Sequence, residues 1–281
     1  MNKYAYVTVM YGNNIYLTGA LVVGVSLQKT NTPYDRVILI TPDVRPEFKS
    51  ILEKVYTHVI SISYISANPT IFAEETTRFR DVFTKLEALS LIQYDKIILL
   101  DLDMIICKNM DHLFKLAPPA ACLKKYNPAY GVIIPSEMIC SNSRLVGSIN
   151  AGLMLLKPDA TELSAIKTDI MENKSIMKFR YPEQDYLSLR YCSKWTSITF
   201  GYNFQFGLTH RVKQLKYSIN QIYVIHYSSS YKPWNELLPD KTPASDEIKF
   251  KTQHKKYYDL WLRMYKLIKE KFAKDDVIIP Y

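Results

Sequence analysis

Two carboxylates stand two residues apart, directly after an apolar run, in Leu99-Leu100-Asp101-Leu102-Asp103. In an extended chain residues i and i+2 point to the same side, so we expect Asp101 and Asp103 to converge while Leu102 faces away. Two adjacent carboxylates in a water-poor site need a cation, and a hard divalent ion such as Mn²⁺ or Mg²⁺ would bring a diphosphate with it. The alternative is that Asp101 and Asp103 only cap a helix or a turn, and the pattern alone gives this interpretation about the same weight as metal binding. Their position after a strand favours the metal.

The elements that would position this pair alternate between short aliphatic runs and amphipathic stretches. Strands are predicted at residues 6–10, 36–41, 58–63, 96–100 and 149–157, and helices at 19–29, 46–55, 83–92 and 162–173. Strands of continuous Val, Ile and Leu with helices between them are typical of a parallel sheet covered on both faces. The sequence therefore predicts a single α/β domain of the Rossmann-like kind. Ligands bind beyond the carboxyl ends of such strands, where Asp101 and Asp103 lie.

The bulk composition narrows the protein class. With 281 residues, 48% hydrophobic and 22% charged, the chain is an ordinary globular protein rather than a disordered one. Residues 4–9 read as a first strand, not as the apolar core of a signal peptide, and no apolar run is long enough to span a membrane. We expect a soluble, cytoplasmic protein, or a virion protein if its source is a virus. No G-x-G-x-x-G follows the first strand, which disfavours NAD and FAD. The four cysteines lack zinc-site spacing and are expected to be reduced, buried thiols.

The net charge of +9 is concentrated near the C-terminus. Residues 249–274 carry nine Lys and Arg against two acidic residues, a local charge of +7. Their apolar residues recur at three- and four-residue steps, which predicts one amphipathic basic helix. We favour a helix that packs its apolar stripe on the body and leaves its basic face in solvent. A membrane-binding or nucleic-acid-binding arm is the alternative.

Nine short blocks, in order along the chain, carry a resemblance to a known family. They are YVTV at 6–9, YLTGALVVG at 16–24, TKL at 84–86, DLD at 101–103 with DHLF at 111–114, INAGLM at 149–154, EQDYL at 183–187, YN at 202–203, HY at 226–227 and KPW at 232–234. Together they resemble the glycogenin-like branch of the family 8 glycosyltransferases. The resemblance implies a single GT-A domain, which we place at residues 1–243. Residues 244–281 would be a basic helical extension packed on it.

The activity that the resemblance implies is a retaining transfer of a hexose from a UDP-sugar, with glucose favoured over galactose. Asp101, Asp103 and His226 would hold Mn²⁺, with Mg²⁺ as the alternative. Two carboxylates and an imidazole suit Mn²⁺ better than Ca²⁺. Lys85 would supply charge toward the donor, and Lys232 would stabilise the departing β-phosphate. Arg78 and Arg80 are further candidates for phosphate contacts.

The remaining site residues follow from the same resemblance. The catalytic set is Glu183, Gln184, Asp185 and Lys232, and the nucleotide-sugar set is Thr8, Val9, Tyr16, Lys85, Leu102, Asn150, Ala151, Gly152 and Ser229. Tyr16 would stack on the uracil ring, and Gly152 would let the backbone approach the ligand closely. With Gln184 as the central residue, and no carboxylate clearly placed for attack, we favour same-face attack over a covalent intermediate.

The acceptor is where the chain departs from glycogenin, which glucosylates its own tyrosine. The corresponding stretch here, 209–213, reads THRVK and has no tyrosine, and Tyr217 is off register. We therefore expect a separate carbohydrate, polyol or protein acceptor, and no nucleic acid. A homodimer stays an open alternative to a monomer.

Two other functional classes fit part of the sequence. An apolar strand followed by Asp-x-Asp also occurs in haloacid-dehalogenase-type phosphatases, which bind Mg²⁺. That family expects a threonine two residues after the second aspartate, where this chain has Ile105. The second class is a basic protein that binds nucleic acid or membrane through residues 249–274, although no nucleic-acid-binding motif is present.

Overall fold

The aliphatic runs of the sequence assemble into one seven-stranded sheet in a computed structural model. The model describes residues 3–12, 15–72, 81–141, 144–172, 178–205, 219–238, 244–275 and 277–279. The strands are β1 Tyr4–Met10, β2 Asp35–Ile40, β3 His58–Ser61, β4 Lys96–Leu100, β5 Met104–Ile106, β6 Ala120–Leu123, β7 Cys140–Ser141, β8 Arg144–Leu145, β9 Ile149–Leu156, β10 Thr196–Ser197, β11 Phe204–Gln205 and β12 Val224–His226. The helices are α1 Tyr16–Gln28, α2 Pro46–Glu53, α3 Ala160–Glu172, α4 Pro182–Arg190, α5 Ser245–Gln253 and α6 Lys255–Lys274.

The seven-stranded sheet has the order β10-β6-β9-β4-β1-β2-β3 and is mostly parallel, as predicted. Strands β1 to β4 pair in parallel in the order β3-β2-β1-β4, which matches four of the six strands of the Rossmann order. Strand β9 runs antiparallel to both β4 and β6. Its apolar pattern predicted a buried strand but carried no information about direction. A small second sheet, β11-β12-β5, lies next to the carboxyl end of β4.

Three differences separate the observed elements from the predicted ones. The predicted helix at 83–92 is a run of 3₁₀ turns from Val82 to Ser90, and the single helix predicted at 249–274 is divided between α5 and α6. The division falls at His254, which is buried and whose ring lies 4.7 Å from that of Phe250. Lastly, the four cysteines are free thiols as expected, but only Cys122 is buried: Cys140 and Cys192 are half-buried and Cys107 is exposed.

Both faces of the sheet are covered. On one face the 3₁₀ run, α3 and α4 pack over side chains of β1, β4 and β9 such as Val7, Leu99 and Met154. On the other face α1 is buried along nearly its whole length, and α2 and α6 pack around it. The apolar stripe of α6 joins that same core through Tyr258, Trp261, Tyr265, Ile268 and Phe272. The described helices include none that could cross a lipid bilayer.

Candidate active site

A cavity of about 670 Å³ opens beyond the carboxyl ends of β1 and β4. Its volume lies within the range of small-molecule sites. One end of the cavity is formed by Val9 in β1, by Tyr11 just after this strand and by Tyr16 at the start of α1. The segment 101–103 forms the centre. The other end is formed by residues that follow β6 and by the first turn of α4. The cavity therefore lies where Rossmann-like sheets bind ligands.

Three metal-ligating side chains meet at the centre of the cavity. One ligand atom each from Asp101, Asp103 and His226 lies within 4.8 Å of the others. The Nε2 atom of His226 is 3.1 Å from Asp103 Oδ1 and 3.9 Å from Asp101 Oδ2. Two carboxylates and an imidazole form a donor set that could hold a divalent metal. The expected convergence of the two aspartates is confirmed.

The backbone around the two aspartates holds this arrangement. Segment 101–103 runs from β4 into β5, and β12 pairs with β5 so that His226 lies opposite Met104. The Tyr227 N–H donates to the Asp103 carbonyl at 2.7 Å, which fixes the segment against β12. Gly19 of α1 is needed for this close packing, because a Cβ there would lie 2.8 Å from the Leu102 carbonyl oxygen.

Two lysines neutralise the aspartates. The Nζ atom of Lys85 lies 2.7 Å from Asp101 Oδ1 and 3.6 Å from a carboxylate oxygen of Glu183. Lys232 Nζ lies 2.5 Å from Asp103 Oδ2 and donates to the Tyr227 carbonyl at 2.8 Å. Each carboxylate of the pair thus has its own cationic partner.

Burial and charge act against each other on these groups. Burial disfavours the ionised form of Asp103, but the charge of Lys232, with smaller contributions from His226, outweighs it and holds the pKa of Asp103 far below the ordinary value. Burial likewise opposes the charge on Lys85, but Asp101 and Glu183 outweigh it and raise its pKa. Burial raises the pKa of Glu183, and Lys85 only partly offsets it. Such perturbed groups around one cavity are typical of functional sites.

The first turn of α4 supplies the wall next to these groups. Pro182 occupies the first turn, where its fixed φ suits a helix start, and Glu183 and Gln184 line the cavity. Gln184 Oε1 accepts the Ala151 N–H at 3.1 Å. Asp185 is buried behind the wall: its Oδ2 accepts the Tyr181 N–H at 3.0 Å, and its Oδ1 lies 3.9 Å from Lys124 Nζ.

The structure brings most of the predicted residues to the cavity. Its lining includes Val9, Tyr16, Lys85, Asp101, Leu102, Asp103, Asn150, Glu183, Gln184, His226 and Lys232. Five predicted residues are not part of that lining, namely Thr8, Ala151, Gly152, Asp185 and Ser229.

Particular contacts explain three of these exceptions. Thr8 is buried and its hydroxyl donates to the Leu100 carbonyl. Ser229 donates to the Tyr231 carbonyl, and its neighbour Ser228 lines the cavity instead. At Gly152 an added Cβ would lie 2.5 Å from His226 Cε1, so the space left by the missing side chain is occupied by the imidazole rather than by ligand.

Several lining residues were missed by the sequence reasoning. They are Tyr11, Val82, Leu100, Cys122, Leu123, Lys124, Lys125, Tyr181, Phe200, Gln205, Ser228 and Trp234, and Asn203, which appeared in the YN block without a role. The signal available for Tyr181 was its position just before the EQD block, and for Trp234 its place in the KPW block. Trp234 packs edge-on against Tyr16, with ring centroids 6.0 Å apart. Arg78, Arg80, the stretch 209–213 and Tyr217 lie outside the described residues.

Comparisons with known proteins identify the family. The family model for glycosyl transferase family 8 matches residues 7–237. An uncharacterised protein, R707 of Acanthamoeba polyphaga mimivirus, is 66% identical over 281 residues, which is the full length of both chains. Galactinol synthase 1 of Solanum lycopersicum is 25% identical over 265 residues, covering 92% of this chain and 81% of the synthase.

Solved structures show the same architecture. The galactosyltransferase LgtC, crystallised with donor and acceptor sugar analogs, superposes with a TM-score of 0.58 and 14% identity. The alignment covers 93% of this chain and 95% of LgtC. At this identity the similarity establishes the fold alone, which is the GT-A fold.

Proposed function

The chain belongs to glycosyl transferase family 8, and we propose that it transfers a hexose, with glucose favoured, from a UDP-sugar to a separate acceptor. The observation that carries the proposal is the meeting of Asp101, Asp103 and His226 with Lys85 and Lys232 in one cavity. This arrangement offers a divalent metal site next to two cations, which is what a nucleoside diphosphate needs. In the haloacid-dehalogenase alternative a threonine would stand at Ile105, which is instead a buried residue of β5.

The nucleotide would occupy the end of the cavity formed by β1 and α1. Val9 lies one residue before the end of β1 and lines the cavity, and the Tyr16 ring stands at the start of α1 against Trp234. An aromatic ring held in this way can stack on the uracil base. Thr8 lies behind this wall, so it would support the base site through β1 rather than touch the ligand.

The diphosphate would lie at the centre, against Asp101, Asp103 and His226. Mn²⁺, with Mg²⁺ as the alternative, would neutralise the diphosphate and favour its departure when bound there. Lys232 would stabilise the charge that develops on the leaving UDP, because its Nζ lies at the cavity wall and is already held by the Tyr227 carbonyl. Lys85 would act in the same way from the other side.

The sugar would lie between Asn150 and the first turn of α4, where retention of configuration must be decided. The side-chain oxygen of Gln184, Oε1, accepts the Ala151 N–H. The NH₂ group of the same side chain is therefore left for the ligand. Glu183 lies 3.6 Å from Lys85, and Asp185 is outside the cavity lining. This arrangement favours same-face attack by the acceptor over a covalent glycosyl intermediate. Asp185 would act indirectly, by holding Tyr181 and Lys124 at the end of the cavity opposite the nucleotide, where the acceptor would bind.

Incubation of the protein with Mn²⁺ and a panel of UDP-sugars tests the proposal. The panel includes UDP-glucose, UDP-galactose and UDP-glucuronic acid, with glucose, lactose and myo-inositol as acceptors. We expect UDP release to be fastest with UDP-glucose, to need the divalent ion, and to leave the intact mass of the protein unchanged. UDP release from none of the donors would contradict the proposal, and a mass increase by hexose units would contradict the separate acceptor.

A further inference from the structure

A chain of hydrogen bonds joins the imidazole of His226 to the cavity wall around Asn150. His226 Nδ1 lies 2.8 Å from Asn203 Oδ1, and Asn203 Nδ2 lies 2.7 Å from Asn150 Oδ1. The same Asn150 oxygen accepts the Gly152 backbone N–H at 2.9 Å. Asn203 and His226 are both buried, with 2% and 4% of their surface exposed. These hydrogen bonds thus connect a candidate metal ligand, His226, to Asn150, which lines the part of the cavity where the sugar would lie.

The direction of every bond in this chain follows from its backbone end. A backbone N–H can only donate, so the Asn150 atom facing Gly152 is the carbonyl oxygen. The Asn203 atom facing that oxygen must then be the NH₂ group, which turns the Asn203 carbonyl toward His226. Nδ1 of His226 therefore carries a proton, and Nε2 faces Asp103 at 3.1 Å.

We propose that Asn203 is a positioning residue that holds His226 in the Nδ1–H form for metal binding and orients the amide of Asn150 toward the donor sugar. The inference rests on the proposed function, because the orientation of Nε2 matters only if a cation binds there. Metal-binding histidines generally donate their second ring N–H to such an oxygen, which fixes the ring and raises the basicity of the ligating nitrogen.

The second half of the inference concerns Asn150. Its Oδ1 already accepts two hydrogen bonds, from Gly152 and Asn203. Asn150 therefore offers only N–H groups to the cavity, and its partner on the sugar must be an oxygen lone pair. One residue, Asn203, would thus set both the metal ligand and a sugar contact.

Two substitutions of Asn203 separate these two roles. Asn203→Ala removes both hydrogen bonds, and we expect it to weaken Mn²⁺ binding by about 10–100-fold. Asn203→Asp keeps an acceptor for Nδ1–H but places an oxygen against Asn150 Oδ1. We expect this variant to bind Mn²⁺ about as well as wild type and to raise the KM for the UDP-sugar, because Asn150 can no longer keep its orientation.

Mn²⁺ binding is measured, in the absence of UDP-sugar, by the electron paramagnetic resonance signal of free Mn²⁺. The position of the imidazole proton is measured by ¹⁵N NMR of His226 in the presence of diamagnetic Mg²⁺. Thermal unfolding shows whether each variant folds. Asn68→Ala serves as the control, because the Asn68 side chain also makes hydrogen bonds at both ends of its amide but does not line the cavity: its oxygen accepts the Thr70 N–H and its nitrogen donates to the Met171 carbonyl. We expect it to leave Mn²⁺ binding unchanged.

Three outcomes decide between the claims. Wild-type Mn²⁺ affinity in folded Asn203→Ala, or a proton on Nε2 rather than Nδ1 in the wild-type protein, overturns the inference. Loss of Mn²⁺ binding in Asn203→Asp equal to that in Asn203→Ala overturns the division into two roles. Wild-type protein that binds no Mn²⁺, or binds it and releases no UDP, contradicts the proposed function instead.

Discussion

Two ion pairs of equal length lie in very different surroundings. Lys232 and Asp103 in the cavity are 2.5 Å apart, as are Lys255 and Asp259 on α6. The exposed fractions of the side chains are 24% and 14% in the cavity but 67% and 40% on the helix. An exposed pair contributes between about 0 and 1 kcal/mol, because water and salt screen it. A buried charge must stay paired, since an uncompensated one is strongly destabilising.

The comparison shows that the placement of charge, rather than its amount, indicates chemistry. Residues 249–274 carry a local charge of +7 within a chain of +9, yet the basic side chains of α6 lie mainly on its exposed face. Of the four lysines among the described residues that line the cavity, Lys85 and Lys232 each contact a carboxylate that could bind metal. A phosphate-bearing substrate would therefore be explained by Lys85 and Lys232 without reference to the bulk charge.

The largest expected contrast is between two aspartates that each pair with a lysine. Asp103→Asn removes a candidate metal ligand, and we expect it to abolish Mn²⁺-dependent UDP release while the protein stays folded. Asp259→Asn makes the same change on α6 and should leave UDP release unchanged. Steady-state UDP release, with circular dichroism as the folding check, measures both. Full activity in Asp103→Asn would remove this aspartate from the metal site.

A large effect on stability rather than activity is expected from the buried face of α6. Phe272 is 3% exposed, and Phe272→Ala should lower the free energy of unfolding by about 3–5 kcal/mol through lost burial and the cavity it leaves. Leu267→Ala, at a position 56% exposed on the same helix, should cost less than about 0.5 kcal/mol. Urea unfolding compares the two. Equal costs would mean that the stripe does not pack as described.

The matched lysines test the ion pairs directly. Lys232→Met removes the cation beside Asp103, and we expect kcat for UDP release to fall by about 100- to 1,000-fold, the cost of losing one preorganised charge-stabilising group. Lys255→Met removes the equivalent cation on α6 and should leave kcat near the wild-type value. If both variants kept full kcat, Lys232 would have no part in stabilising the leaving group.

The smallest effect is expected on the exposed face of α6. Lys266 Nζ lies 4.0 Å from Glu270 Oε1, and the side chains are 79% and 54% exposed. Lys266→Gln should change the free energy of unfolding by less than about 0.5 kcal/mol, and the change should shrink further in high salt. Urea unfolding at low and high salt measures it. A loss of several kcal/mol would show that this face is not solvated.

Periodicity and strand ends predicted the sheet and the position of the two aspartates. The runs at 96–100 and 149–157 became β4 and β9 because continuous aliphatic side chains suit strands covered on both faces. Direction was not predictable, since burial is the same for parallel and antiparallel strands. The 3₁₀ run at 82–90 packs against distant residues, as in the contact of Phe83 with Tyr186, and its local sequence showed no sign of this.

The site was only partly predictable, because its residues come from distant parts of the chain. Asp101 and Asp103 follow from local geometry, whereas His226 came from the family resemblance and joins them only through the pairing of β12 with β5. Neither Lys124 nor Tyr181 belongs to a sequence motif, although Lys124 Nζ lies 3.7 Å from the centroid of the Tyr181 ring at the cavity wall. Asp185 stands in the right block, but the first turn of α4 directs it behind the wall.

The central claim is that Asp101, Asp103 and His226 form a metal-dependent site for a nucleoside diphosphate. Isothermal titration calorimetry of UDP into the wild-type protein, with Mn²⁺ and then with excess chelator, tests it most directly. The account predicts saturable binding of one UDP with Mn²⁺ and at least a tenfold weaker affinity, or about 1.4 kcal/mol, without it. Binding of equal strength in both conditions, or no binding in either, would contradict the account.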